Sequence, residues 1–184
     1  MSPPSLALGV AMGSMSMLFG ASLIGSFITR AQNPAWGTGM PGLPRGLWGS
    51  TLLIGLVSFA FVRALAAARR NHFEGLERWL WLATAAAVSF VGVQVFNWRA
   101  ILGAHGSVAL KTLYVFTFYM LTGLHALHVA FGFIPLGVVL RKAHLRQYSS
   151  SRNEGLRLCR RYWDYLAIVW LVLLTALYFG SLGR

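Results

Sequence analysis

No charged residue precedes Arg30. From about Leu6 to Thr29 the chain is filled with Leu, Ile, Phe, Met, Ala, Gly and Ser. An α-helix needs about 20 such residues to cross the hydrocarbon core of a bilayer. Further apolar runs follow, and the spans are predicted at about residues 6–29, 47–65, 79–98, 112–140 and 162–182. None alternates apolar and polar residues as a half-buried strand does. Backbone groups in lipid must be satisfied internally, so a spanning segment is a helix or part of a closed barrel. The expected fold is therefore all-α: a polytopic membrane helical bundle of five transmembrane helices, forming one membrane domain over residues 1–184.

Composition supports the same solvent. Hydrophobic residues make up 57% of the chain and charged residues 11%, against about 25% charged in an average soluble domain. A disordered chain is excluded, and the lone cysteine, Cys159, excludes a disulfide scaffold. Sixteen Lys and Arg against four Asp and Glu give a net charge of +12. In a soluble protein that excess points to nucleic acid. Here the basic residues fall in the connections between apolar runs, which is the positive-inside pattern, so no nucleic-acid partner is expected.

The same pattern orients the chain. One set of connections carries Arg63, Arg69, Arg70 and Arg78, then Arg141, Lys142, Arg146, Arg152, Arg157, Arg160 and Arg161. The other side carries Arg30, Arg45, Arg99, Lys111 and Arg184. The richer side is expected in the cytoplasm, giving an N-in, C-out topology. Trp36, Trp48, Trp79, Trp81, Trp98, Tyr162, Trp163 and Tyr178 cluster near the run ends as an aromatic belt. The N-terminal run lacks a basic n-region and is too long for a signal-peptide core, so it reads as a retained first helix. The segment NPAWGTGMPGLPRG is rich in proline and glycine and is expected as an extended outer crossing. Gly9 and Gly13, Ala21 and Gly25, and Ser22 and Ser26 stand at small-x-x-x-small spacing, which places the first helix inside the bundle.

Ionisable residues within spans are functional candidates. His125 and His128, in TGLHALHVAFG, share one helix face at i, i+3 with Gly132 continuing it. Two histidines so close on one helix cannot clamp opposite faces of a haem. A zinc or copper site needs further ligands that no nearby carboxylate or thiol supplies. The remaining readings are a buried pair that fixes helix packing, or a site for a lipid head group, a quinone or a proton relay. Asp164 is expected in the first turn of the last helix, where a carboxylate suits the helix dipole, within reach of Arg160 or Arg161. Gln94 and Asn97 are expected to bond backbone or neighbouring helices. Four acids in the whole chain leave little for acid–base catalysis. No catalytic constellation appears, and the chain reads as a subunit.

Several segments resemble subunit III of the haem–copper terminal oxidases. TGLHALHVAFG is similar to that family's TGLHGLHV signature, and YWDYLAIVWLVLLTALYFG to its closing YWHFVDVVWLFLF helix. FVGVQVFNW resembles FLxxQxxEW, RGLWGSTLLIGLVSF resembles the opening of its second helix, and SMSMLF followed by Arg30 resembles SExMxF…R. All five occur in the same order, from about Ser14 to Gly180, and the length suits the short five-helix bacterial form. Met15 stands where the family carries a membrane glutamate, and Asn97 where a glutamate is common. Asp164 and Ala167 replace the histidine and aspartate of YWHFVD.

The resemblance implies an accessory subunit with no redox centre of its own, in a bacterial plasma membrane. It implies packing on the catalytic subunit, which holds the haems and copper, and binding of phospholipid. His125, His128, Arg30 and Trp98 are then the expected packing or lipid-contact residues, with Trp163 and Asp164 anchoring the last helix at the cytoplasmic interface. With the family carboxylates replaced, scaffolding and lipid binding are the roles that carry over. Two other readings stay open: an accessory subunit of a nitric oxide reductase, and a stand-alone membrane cytochrome or transporter.

Overall fold

A computed structural model of the chain describes residues 3–33, 36, 43–109 and 112–181, with 104–109 described by backbone alone. Five α-helices account for nearly all of them: α1 (Pro3–Gln32), α2 (Gly46–Arg69), α3 (Phe73–Ala109), α4 (Leu113–His144) and α5 (Glu154–Ser181). Each is long and apolar enough to cross a membrane. The described residues include no strand. Most of the crossing expected between the first two helices, together with Lys111 and Arg184, lies outside the described residues.

The spans are found, but two helices outrun their apolar cores. Helix α3 continues past Trp98 to Ala109, and α5 begins at Glu154 rather than near residue 162. Asp164 therefore sits in the third turn of α5, not the first; Glu154 holds the first-turn position. The reason is an apolar stripe that passes through the basic segment. Leu156, Cys159, Tyr162, Trp163 and Leu166 are all buried at helical spacing, while Arg157 and Arg161 are exposed.

Both helices that end at the basic face of the bundle close in the same way. At the end of α2, the N–H of His72 donates to the Ala67 carbonyl and that of Asn71 to Ala68, with Asn71 at φ 54°. At the end of α4, Gln147 donates to Lys142 and Arg146 to Ala143, with Arg146 at φ 53°. These are Schellman closures, which satisfy the last carbonyls with a left-handed residue. Asparagine suits that position; arginine tolerates it at a cost of about 1 kcal/mol. The two turns are also tied together. Asn71 Oδ1 accepts from the Ser150 N–H at 2.9 Å, His144 meets Glu77 at 3.0 Å, and the Arg146 guanidinium lies over the Phe73 ring.

Helices α2, α3, α4 and α5 form a closed ring in which each packs on two neighbours: α2 on α3 and α5, and α4 on α3 and α5. The α2–α3 hairpin has the most extensive contact. Helix α1 is a satellite, touching only α4 and α5. Phe19 is its one buried residue. This corrects the expectation that α1 sits inside the bundle: a Cβ added at Gly9, Gly13, Gly20 or Gly25 would meet nothing within 4 Å. The glycine spacing does not mark a contact within this chain, whereas Ser26 faces α4 and α5 beside Arg30.

Candidate functional site

The middle of α4 directs its polar groups into the ring. His125 is completely buried, and its imidazole is surrounded by rings from three other helices. The ring centroids of Phe19, Phe90 and Trp170 lie 6.3, 5.8 and 5.3 Å away. Neither imidazole nitrogen has a hydrogen-bond partner among the described residues. His128, one turn on, bonds locally: its Nδ1–H donates to the Leu124 carbonyl at 2.7 Å. Phe19 packs against this ring as well, at 5.2 Å. The two histidines thus seat α1 on the bundle through one phenylalanine.

One turn further, Gly132 lets α5 approach. A Cβ there would come within 3.0 Å of Tyr162 and 3.2 Å of Trp163. The Tyr162 hydroxyl donates to the His128 carbonyl at 2.8 Å. Trp163 is completely buried, stacked on Phe61 and edge-on to Phe133, so it packs the interior instead of belonging to the lipid-facing belt. Asp164 accepts from Arg160 Nε at 3.1 Å in a half-exposed pair, one of the two partners expected for it. An exposed or half-exposed i, i+4 pair of this kind contributes only a few tenths of a kcal/mol.

At the opposite end, Arg30 Nη1 donates to the Phe179 carbonyl at 2.7 Å, and Trp36 Nε1 to the Gly180 carbonyl at 3.2 Å. A cation and an indole here satisfy the orphan carbonyls that close α5. Trp98 Nε1 donates to Thr122 Oγ1 at 3.0 Å, and the Tyr119 hydroxyl donates back to the Trp98 carbonyl, joining α3 to α4. A buried cluster joins α2 to α3: Ser50 Oγ and Asn97 Nδ2 both donate to Gln94 Oε1, at 3.2 and 3.1 Å. Gln94 thus bonds between helices, while Asn97 bonds to Gln94 within α3.

His125, His128, Arg30, Trp98 and Trp163 therefore act at helix–helix contacts, but they are not brought to one place. Sequence reasoning passed over Phe19, Phe90 and Trp170, the three rings around His125. Trp170 carried a signal, since it lies in mid-span, away from the interfacial belt; Phe19 and Phe90 stand at the phenylalanines of the SExMxF-like and FLxxQxxEW-like segments. The described residues hold no group of three or more His, Cys, Asp or Glu placed to bind a metal. Ring centroids 5.3–6.3 Å from the His125 imidazole leave no gap for a porphyrin against it.

Cavities open between helices on two sides of α5. One, of about 500 Å³, lies among α1, α4 and α5 and is lined by Leu8, Met15, Phe131, Pro135, Lys142 and Tyr148, among others. Burial first, and neighbouring Cys159 second, push the Tyr148 hydroxyl up to about 12. The other, of about 480 Å³, lies between α2 and α5 at the far end, beside Arg45, Trp48 and Tyr178.

A family model described as cytochrome c oxidase subunit III matches residues 43–182. Cytochrome c oxidase subunit 3 of Thermostichus vulcanus is 27% identical over 178 residues, covering 94% of this chain and 85% of the relative. The Synechocystis protein of the same name is 34% identical over 156 residues, 82% of this chain and 64% of the relative. A probable cytochrome c oxidase subunit 3 of Mycobacterium tuberculosis is 30% identical over 129 residues, 70% of this chain and 63% of the relative. With its transmembrane helices and its histidine signature in place, the chain belongs to the cytochrome c oxidase subunit III family and is an accessory subunit of a haem–copper oxidase.

Proposed function

We propose that the chain spans a bacterial plasma membrane N-in and C-out, packs on the catalytic subunit of an oxygen-reducing oxidase, and holds phospholipid in its interhelical cavities. The haems and copper of the complex then reside in that partner. The observation that supports this reading best is the enclosure of His125 by Phe19, Phe90 and Trp170. The most conspicuous ionisable group inside the span is spent on packing. His128, Trp98 and Trp163 serve the same end, Arg30 ties α1 to α5, and the Asp164–Arg160 pair sits at the cytoplasmic interface. Lipid is supported by the cavity beside Met15 and Lys142, where apolar walls meet a cation at the basic end.

The test is affinity purification from native membrane, with mass spectrometry of partner subunits and lipids. A haem–copper catalytic subunit is expected, and a nitric oxide reductase as the large partner would refute the oxygen-reducing assignment. The doubly substituted His125→Ala, His128→Ala chain is expected to be retained less well while the partner keeps its haem. Loss of haem with the substituted chain still bound would overturn the packing role. An intrinsic Soret band in the isolated chain would do the same.

A further inference from the structure

The α2–α3 hairpin carries a depression of about 800 Å³ that none of the packing residues above explains. Arg63, Arg70, Arg78 and His72 line it, together with Trp79 and Leu82. Arg63 lies six residues before the end of α2, and Trp79 six after the start of α3. At 1.5 Å per residue both sit about 9 Å below the turn, at one depth. The Arg63 guanidinium lies over the Trp79 ring, 5.3 Å from its centroid. Above this pair, Arg70, His72 and Arg78 surround the mouth.

Acids do not neutralise the group. Arg78 pairs loosely with Glu74, at 3.8 Å and exposed to solvent. Glu77 is engaged by His144 and Asp164 by Arg160. Among the described residues, Arg63 and Arg70 form no ion pair. His72 Nδ1 accepts the Gly75 N–H at 3.0 Å, so a neutral ring carries its proton on Nε2, a donor. The walls are apolar toward the middle of the membrane and cationic toward its surface.

We infer that this depression seats the head group of an anionic phospholipid of the leaflet at the basic end, its phosphate held by Arg63 and Arg70 and its glycerol and upper acyl chains laid along Trp79 and Leu82. Guanidinium groups form charge-assisted, often bidentate bonds to phosphate. A tryptophan at this depth suits the glycerol region. The site lies on the outer side of the hairpin, away from the cavity beside Met15. It rests on the reading that the five helices span a membrane, and not on the identity of the complex.

The experiment is native mass spectrometry of the full-length chain in mild detergent, with phosphatidylglycerol or phosphatidylcholine of identical acyl chains. Retained phosphatidylglycerol should exceed retained phosphatidylcholine. Each guanidinium near an anionic head group contributes about fivefold in affinity, so Arg63→Gln with Arg70→Gln should weaken phosphatidylglycerol binding about 25-fold. Arg152→Gln with Arg157→Gln, which removes equal charge from exposed positions at the same end, should change it less than about twofold. Excess inorganic phosphate should not displace the lipid. Equal retention of both lipids, equal loss in both double variants, or displacement by phosphate would each overturn the site. Co-purification with the catalytic subunit, read separately, keeps this failure distinct from failure of the oxidase assignment.

Discussion

Gly132 of α4 lies so close to Trp163 of α5 that a Cβ on the glycine would stand 3.2 Å from the indole Cζ2. Trp163 is completely buried between Phe61 and Phe133 and has no room to withdraw. Gly132→Val should therefore overpack the α4–α5 contact and cost about 1–3 kcal/mol. The check is the midpoint of thermal unfolding in detergent, followed by circular dichroism. Gly137→Val, whose Cβ meets nothing within 4 Å, should leave the midpoint nearly unchanged.

A second close approach lies at the opposite end of the ring. A Cβ at Gly46 would run into Asn97 Oδ1, and Asn97 is held by its bond to Gln94. Gly46→Ala should break that buried bond and cost about 1–3 kcal/mol. Combining it with Asn97→Ala removes the clashing atom. The double variant should be more stable than the sum of the two single effects, by an interaction energy of about 1 kcal/mol.

Arg30 closes the end of α5. Its bond to the Phe179 carbonyl joins a charged donor to a helix terminus, worth about 1.5 kcal/mol. Arg30→Ala should speed hydrogen exchange of the amides in the last turns of α1 and α5 about tenfold. Amides in the middle of α3, which has no contact with α1, should keep their rates.

Tyr148 supplies a pH dependence. Its hydroxyl is held up at about 12, above the ordinary 10.0, chiefly by burial. The neutral form is thus favoured by folding. Its contribution is complete below pH 10 and is lost as pH rises through 12. Tyr148→Phe should reduce the loss of stability above pH 10 and remove one late-titrating component from the tyrosinate absorbance. Loss of a component near the ordinary 10.0 instead would show that Tyr148 ionises like an exposed tyrosine.

The five spans could be read from the sequence because an uncharged apolar run reports directly on the solvent around it. Helix ends could not, since a run of apolar residues marks the depth of the lipid and not the length of the helix. The start of α5 was legible by another signal: Leu156, Cys159, Tyr162 and Leu166 continue one stripe at helical spacing through the arginines. His125 and His128 were visible as polar residues in an apolar span. The rings that enclose His125 come from α1, α3 and α5, and no local pattern links Phe19, Phe90 and Trp170. The place of α1 was hidden for a different reason. Glycine and serine spacing shows that a helix can be approached closely, but not whether its neighbour belongs to the same chain.

Ser16 meets Tyr165 and Arg30 meets Phe179 with one offset of 149 residues, so α1 and α5 run side by side in parallel. Synthesis separates these partners by almost the entire polypeptide. Helix α4 offers α1 a seat through Phe19, and α5 completes it with Tyr165 and the Phe179 carbonyl. The seat of the first of the five helices is thus complete only with the fifth in place.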